Sequence, residues 1–285
     1  MPPLLLESGG WAAAIAPEDG GGLHALRFAG RDILAPVPPG ERLGGPWGAF
    51  WMIPWANRLD GGRLGPHRLP VNRPQEGTAI HGLSRDRPWH LAALAPEAAV
   101  LAQDVAAGPY RYAARLGLSL SAAGFALDLT VVNTGAEALP FGLGWHPWFV
   151  RPAGTRLAFR ASHRCRHDAR GLPVAAEFTR GLDGGEEAWL GLDAHFAGWD
   201  GAARIAWPGL ALEIAASGAL AAGLQVFAPA APAVLCVEPS SHLPDAPNRP
   251  DLAELGPMRP LAPGQALSGR IVLHAECSQP AWARA

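Results

Sequence analysis

The sequence predicts an all-β protein built as one large antiparallel β-sandwich. Three observations lead there. Apolar residues recur with a period of two in the stretch RLGLSLSAAGFALDLTVVNTG (115–135): Leu116, Leu118 and Leu120 share one face, and Phe125, Leu127, Leu129 and Val131 repeat the pattern after a short AAG turn. Glycine and proline number 35 and 29 in 285 residues, too frequent between such runs to leave room for long helices. Turn dipeptides between apolar runs mark hairpins, at Ala29-Gly30 within 24–34 and at Pro208-Gly209 within 203–215.

Taken in chain order, HALRFAGRDIL (24–34) forms the first of these hairpins. The alanine-rich segment 91–108 has helical composition, but Pro96 interrupts it and a strand-turn-strand fits. The paired strands of 115–135 follow, then ARIAWPGLALEIA (203–215). A β-branched, apolar run ending at Val237 delivers Glu238 at the mouth of a strand, and the chain then breaks into prolines (PSSHLPDAPNRP). No break in composition marks a linker, so residues 1–285 read as a single domain, with roughly the last ten as a tail.

Composition excludes several chemistries. Apolar residues make up 49% of the chain and charged residues 17%, enough for a core and too little charge for disorder. A net charge of -2 gives no pull toward nucleic acid or anionic membranes, and the basic stretch 151–170 reads as a solvated face. The chain contains no lysine, which removes Schiff-base chemistry, a P-loop lysine and a lysine base together. Cys165, Cys236 and Cys277 form no CxxC pair and read as free thiols of a reducing compartment. With no signal-peptide pattern and no uncharged apolar span of about 18 residues, a cytoplasmic protein is expected.

Four stretches place polar side chains beside aromatic residues at strand ends. In FWMIPWANRLDGGRLG (50–65), Trp51 and Trp55 offer flat faces and Asn57-Arg58 supply donors before a Gly-Gly turn. TAIHGLSRDRPW (78–89) carries His81 beside Gly82. PFGLGWHPWFV (140–150) sets His146 between Trp145 and Pro147-Trp148, and the fourth stretch carries Glu238. Each alone is an ordinary core or turn feature. Together they supply aromatic platforms for C–H faces, forked donors for hydroxyls, two imidazoles and one carboxylate.

Here the residues resemble a known family, the aldose 1-epimerases or galactose mutarotase-like proteins. The resemblance runs from about residue 4 to 274. It rests on the opening LLLESGGWAAAIAPEDGGGLHALRFAGRDIL, similar to the family's first hairpins, and on NRLDGGRL, IHGL followed by Trp, HPWF, LDAHF, GLQVF and CVEPSSHLPDAPN in the family's order. It implies the family's galactose mutarotase-like supersandwich, with the sugar in an open cleft and no cofactor or metal. It implies Glu238 as the base that takes the C1-hydroxyl proton and His146 as the acid that protonates the ring oxygen. His81, Asn57, Arg58, Asp193 and Gln225 match sugar-binding positions. The implied partner is a small aldose, free or phosphorylated, bound by a monomer or homodimer. Trp145 before His146, Pro147-Trp148-Phe149 after it and Leu83 after Gly82 depart from the best-known galactose mutarotases, which points to a divergent bacterial branch.

Three rivals stand beside this reading. A hexose-phosphate mutarotase needs a cationic clamp, for which Arg58, Arg63, Arg85 and Arg87 are the candidates. A glycoside hydrolase would use Glu238 and Asp193 as its carboxylate pair. A sugar-binding module would bind without turnover. A metal site at HRCRH (163–167) has poor ligand spacing for its strand-to-loop setting.

Overall fold

The computed structural model describes residues 2–277, and the expected C-terminal tail lies outside them. Two large antiparallel sheets carry most of the chain, one of twelve strands and one of nine. The predicted hairpins are present at the predicted turns. Phe28 pairs with Arg31 across Ala29-Gly30, and Ser121 pairs with Gly124 at the AAG turn. Trp207 pairs with Leu210 across Pro208-Gly209, and Ala95 pairs with Ala98 at Pro96. Helix is confined to Glu186–Trp189 and three short 3-10 turns among the described residues.

The smaller sheet runs from His90–Ala95 through Ala98–Ala107, Tyr110–Ser121 and Gly124–Asn133 to the long strand Ala266–Glu276 and beyond. Leu116, Leu118, Leu120, Phe125, Leu127, Leu129 and Val131 all point into one continuous core, as their period of two requires. Each such side chain contributes about 1.5–3 kcal/mol relative to exposure.

The larger sheet positions the site. Its central strands lie in the order Ala49–Met52, Gly144–Pro147, Val234–Ser240, Gly223–Phe227 and Asp193–Ala197. On each, alternate residues enter the main core: Trp51, Trp145, Leu235 and Val237, Leu224 and Val226, Ala194 and Phe196. The intervening residues therefore share the opposite face. That face carries Phe50, His146, Glu238, Gln225 and Asp193. Two expectations are corrected here. Trp51 and Trp55 are core residues, 0% and 1% exposed, and offer no face to a ligand. The strand bearing Glu238 continues to Ser240, so Glu238 sits inside the sheet rather than at the strand's mouth.

Candidate active site

Strand register alone brings the acid and base candidates together. Gly144 pairs with Ser240. Two residues onward on one strand is His146, and two residues back on its antiparallel neighbour is Glu238. His146 Nε2 lies 3.4 Å from Glu238 Oε1. Across the other neighbouring strands, Phe50 pairs with His146 and Gln225 with Glu238. Phe50 stacks on the His146 ring at 4.6 Å between centroids, and Trp148 packs against the same imidazole at 4.9 Å.

The remaining candidates reach this face from loops. His81 follows the strand Thr78–Ile80, and Asn57 precedes the strand Arg58–Asp60, with which Thr78–Ile80 pairs. Both adopt the left-handed backbone region, at φ +64° and +56°. Such conformations cost a non-glycine residue of order 1–3 kcal/mol and persist only where the surroundings fix them. Here the His81 N–H donates to the Asn57 carbonyl at 2.9 Å, tying the two together. Gly82 must be glycine: its φ is +74° and a Cβ would stand 2.1 Å from the Ile53 carbonyl oxygen. The His81 ring stands perpendicular to that of His146, 5.1 Å between centroids.

All seven predicted residues, Asn57, Arg58, His81, His146, Asp193, Gln225 and Glu238, line one cleft of about 240 Å³. Arg73, Glu76, Ile80, Trp148 and Phe227 complete its wall. The sequence does not single out Glu76 and Arg73, because nothing local in the loop VNRPQEG distinguishes them from solvated turn residues. Arg58 Nε donates to Glu76 Oε2 at 2.9 Å, and its Nη1 lies 3.8 Å from Asp193 Oδ2. Gln225 Nε2 donates to Asp193 Oδ1 at 2.5 Å. The result is a fixed wall of alternating donors and acceptors, suited to vicinal hydroxyls. Four buried polar atoms around the cleft, His81 Nδ1, His146 Nδ1, Trp148 Nε1 and Gln225 Oε1, have no protein partner. In a folded interior such atoms are rare, and they fit a face that a polar ligand completes.

The proline-rich loop after Glu238 is clamped from three sides. The Ala56 N–H donates to His242 Nε2 at 3.0 Å, which leaves His242 Nδ1–H to donate to the Leu243 carbonyl at 2.8 Å. Ser241 Oγ accepts from the Leu143 N–H at 2.8 Å. The Asp245 N–H donates to the Arg58 carbonyl, and its fully buried carboxylate accepts from the Asp60 N–H, Asn248 Nδ2 and Arg249 Nε. These bonds join the segments that carry Glu238, His146 and Asn57-Arg58 into one unit.

Burial sets the electrostatics. It pushes the Glu238 carboxyl well above the usual carboxylate range, with the Asp193 charge adding to it and Arg58 opposing. It pushes His146 down to about 3, with Arg85 adding to it, and it holds His81 well below an ordinary histidine. Both shifts favour the neutral carboxyl–imidazole pair over the carboxylate–imidazolium ion pair.

Two of the other candidate sites, the four-arginine clamp and HRCRH, come apart in three dimensions, whereas Glu238 and Asp193 line the same cleft. Of the four arginines considered for a phosphate clamp only Arg58 reaches the cleft. Arg63 pairs with Asp60, Arg85 lies over the Phe50 ring at 4.5 Å, and Arg87 Nη1 donates to the Leu83 carbonyl. The basic stretch is not uniformly solvated: Arg151 is buried, bonded to Glu186 and to the carbonyls of Pro229 and Ala230. In HRCRH, Cys165 is buried in the core and His163 Nδ1 is engaged by Ser162 Oγ.

Known proteins share this architecture. The chain is 30% identical over 267 residues to YphB of Escherichia coli K12, itself uncharacterized, covering 86% of this chain and 90% of that protein. It superposes on the crystal structure of a candidate aldose 1-epimerase from the same organism with a TM-score of 0.85 at 26% identity, covering 97% and 99% of the two chains. A galactose mutarotase-like protein from Clostridium acetobutylicum shares the fold, with a TM-score of 0.83 at 20% identity over 96% and 95%. The family described as aldose 1-epimerase matches residues 4–274, nearly the whole described length, and the chain belongs to that family.

Proposed function

We propose that this chain is an aldose 1-epimerase that interconverts the α and β anomers of a hexose, with Glu238 as base and His146 as acid. The observation that carries the reading is the buried His146–Glu238 pair, 3.4 Å apart on the floor of a hydroxyl-binding cleft. Ring opening takes the proton from O1 and delivers one to the ring oxygen O5. The C1–O5 bond breaks as the C1=O1 double bond forms. The aldehyde turns about C1–C2 and the ring closes on its other face. His146 then recovers its proton from O5 while Glu238 returns one to O1. Each proton transfer is worth roughly 10²–10⁴-fold.

The active arrangement has the pair's single proton on His146 Nε2. In the free protein burial places it on Glu238, so the two forms are tautomers and need no change in net protonation. A sugar O1–H that donates to the carboxylate, and an O5 that accepts from the imidazolium, favour the ionised tautomer in the complex. Asn57, Arg58, His81, Asp193 and Gln225 hold the ring, and the Trp148 and Phe227 faces take its C–H surface. The chain works as one domain, and the acid–base chemistry calls on no cofactor.

The test is NMR exchange spectroscopy on α-glucose and α-galactose with wild type, Glu238→Gln and buffer, because mutarotation also proceeds uncatalysed. Faster anomer exchange with wild type, abolished by Glu238→Gln, supports the assignment. No acceleration with either sugar, hexose phosphates or a wider aldose panel, while sugars still raise the melting temperature, would leave a binding module.

A further inference from the structure

Directly below the acid–base pair lies a group that the epimerase reading does not use. Cys236 and Glu238 are alternate residues of the strand Val234–Ser240, so their side chains share a face. His146 reaches the same spot from the neighbouring strand. The Cys236 thiol sulfur, a His146 ring nitrogen and a Glu238 carboxylate oxygen all lie within 4.8 Å of one another, and all three residues are buried. Among the described residues no other three of His, Cys, Asp and Glu are grouped this way.

We infer that Cys236, His146 and Glu238 form a site for a soft divalent cation of the Zn²⁺ or Cd²⁺ type, whose occupation silences the acid–base pair. Zinc binds sulfur at about 2.3 Å and nitrogen or carboxylate oxygen at about 2.0–2.2 Å, which separates ligand atoms around a tetrahedral ion by roughly 3.3–3.7 Å. The His146–Glu238 distance of 3.4 Å already meets that spacing. The sulfur lies within 4.8 Å of both, so it has at most about 1.5 Å to close to reach that spacing, a movement within the reach of side-chain rotation. Three protein ligands with the fourth position facing the cleft leave room for a water or a sugar hydroxyl. A thiolate beside an imidazole selects Zn²⁺ or Cd²⁺ over Mg²⁺ and Ca²⁺, which prefer all-oxygen sites. On binding, the cation displaces the Cys236 thiol proton and the proton shared by Glu238 and His146, and both leave to solvent. The ion then holds the lone pairs that proton transfer at O1 and O5 requires, so the pair serves neither as base nor as acid while the ion is bound. Inhibition thus rests on the proposed epimerase reading, whereas cation binding does not.

The experiment uses Cys277→Ser protein, which lacks the exposed thiol, titrated with Cd²⁺ and followed by the ultraviolet thiolate-to-cadmium charge-transfer band. The band should saturate at one ion per chain and vanish when Cys236→Ser or Cys236→Ala is added. The second replacement covers a serine that disturbs folding, and circular dichroism checks both. In the anomer-exchange assay Zn²⁺ should inhibit the Cys277→Ser protein reversibly, with EDTA restoring activity. The added Cys236 replacement should keep basal exchange while raising the half-inhibitory Zn²⁺ concentration about 10-fold or more, at least the cost of losing an outer-shell partner. No band in the Cys277→Ser protein, or a band that survives both Cys236 replacements, overturns the site. A band sensitive to Cys236 in a protein that accelerates no sugar upholds the cation site and refutes the epimerase reading instead.

Discussion

Ala56 and His242 are joined by a hydrogen bond across 186 positions of sequence, the Ala56 N–H donating to His242 Nε2 at 3.0 Å. His242 is 1% exposed and held neutral, burial lowering it to about 4. The bond fixes the loop after Glu238 against the segment that begins Asn57-Arg58. His242→Ala would leave a buried N–H without an acceptor, a cost of about 1–3 kcal/mol. We expect a lower melting temperature, a raised KM and a reduced kcat, with partial recovery in His242→Gln, whose amide oxygen can accept the same bond. A lowered melting temperature with unchanged kinetics would show that the clamp stabilises without positioning.

Glu238→Gln keeps the shape of the side chain and removes its basicity. Turnover should fall to the buffer rate while the melting temperature holds or rises, because the variant no longer buries an ionisable group. Sugar-induced stabilisation should persist. Near wild-type exchange rates in this variant would remove Glu238 from the mechanism.

The pair's single proton sets the pH dependence of kcat. An ordinary carboxylate base would lose activity near 4.5 on acidification. Here the acid limb requires a second proton on the pair, which His146 resists down to about 3. The alkaline limb begins when Glu238, raised by burial, loses the shared proton. Exchange rates measured across pH should therefore stay level through 4.5 and decline on the alkaline side. An acid limb centred at 4.5 would contradict this proton inventory.

Acid should destabilise the fold well above the pH at which carboxylates protonate. His146, His195 and His242 titrate at about 3, 3 and 4 when folded, and His81 lies well below its ordinary value of 6.5. Between pH 6.5 and about 4 the unfolded chain binds more protons on these groups, so stability falls as pH falls. Each histidine contributes roughly 1.4 kcal/mol per pH unit in that window. Glu238, raised when folded, acts in the opposite direction, but His167 is lowered as well, so it is one group against five. Calorimetry from pH 7 to 4 should show a steadily falling melting temperature with proton uptake on unfolding, and His195→Asn should reduce the slope.

Arg58 bridges Glu76, Asn57 and Asp193 through its planar fork. Arg58→Lys retains the charge and loses the fork, leaving two carboxylates without their shared partner. KM should rise on the order of 10-fold with a smaller change in kcat, since 1.4 kcal/mol of lost binding is a factor of ten. An equal loss in both parameters would instead place Arg58 in the chemical step.

Much of this site is legible in the chain because the sheet's period of two is written there. The alternations Trp145/His146, Val237/Glu238 and Leu224/Gln225/Val226 already separate a core face from a polar face. The hairpins at Ala29-Gly30 and Pro208-Gly209 are equally local, since turn chemistry sits in adjacent residues. Trp51 and Trp55 face the core rather than the ligand side that the sequence suggests, because an aromatic residue suits a core and a sugar platform equally well. Arg73 and Glu76 left no local signal, because a loop's side chains acquire a role only from what packs beside them.

By itself, then, the sequence determined the strand pattern, the turns, the absence of lysine chemistry and the residue types that an anomeric proton transfer needs. Tertiary structure decided the rest. Register placed His146 beside Glu238, and strands distant in sequence enclosed Arg58, Asp193 and Gln225 in one wall. Burial raised the Glu238 carboxyl and lowered the His146 imidazole, and the shared sheet face brought the Cys236 thiol within 4.8 Å of both. The physical reason is that period and turn propensity act between neighbours in the chain. Proximity across strands, and the desolvation that shifts a proton, exist only once distant segments have packed together.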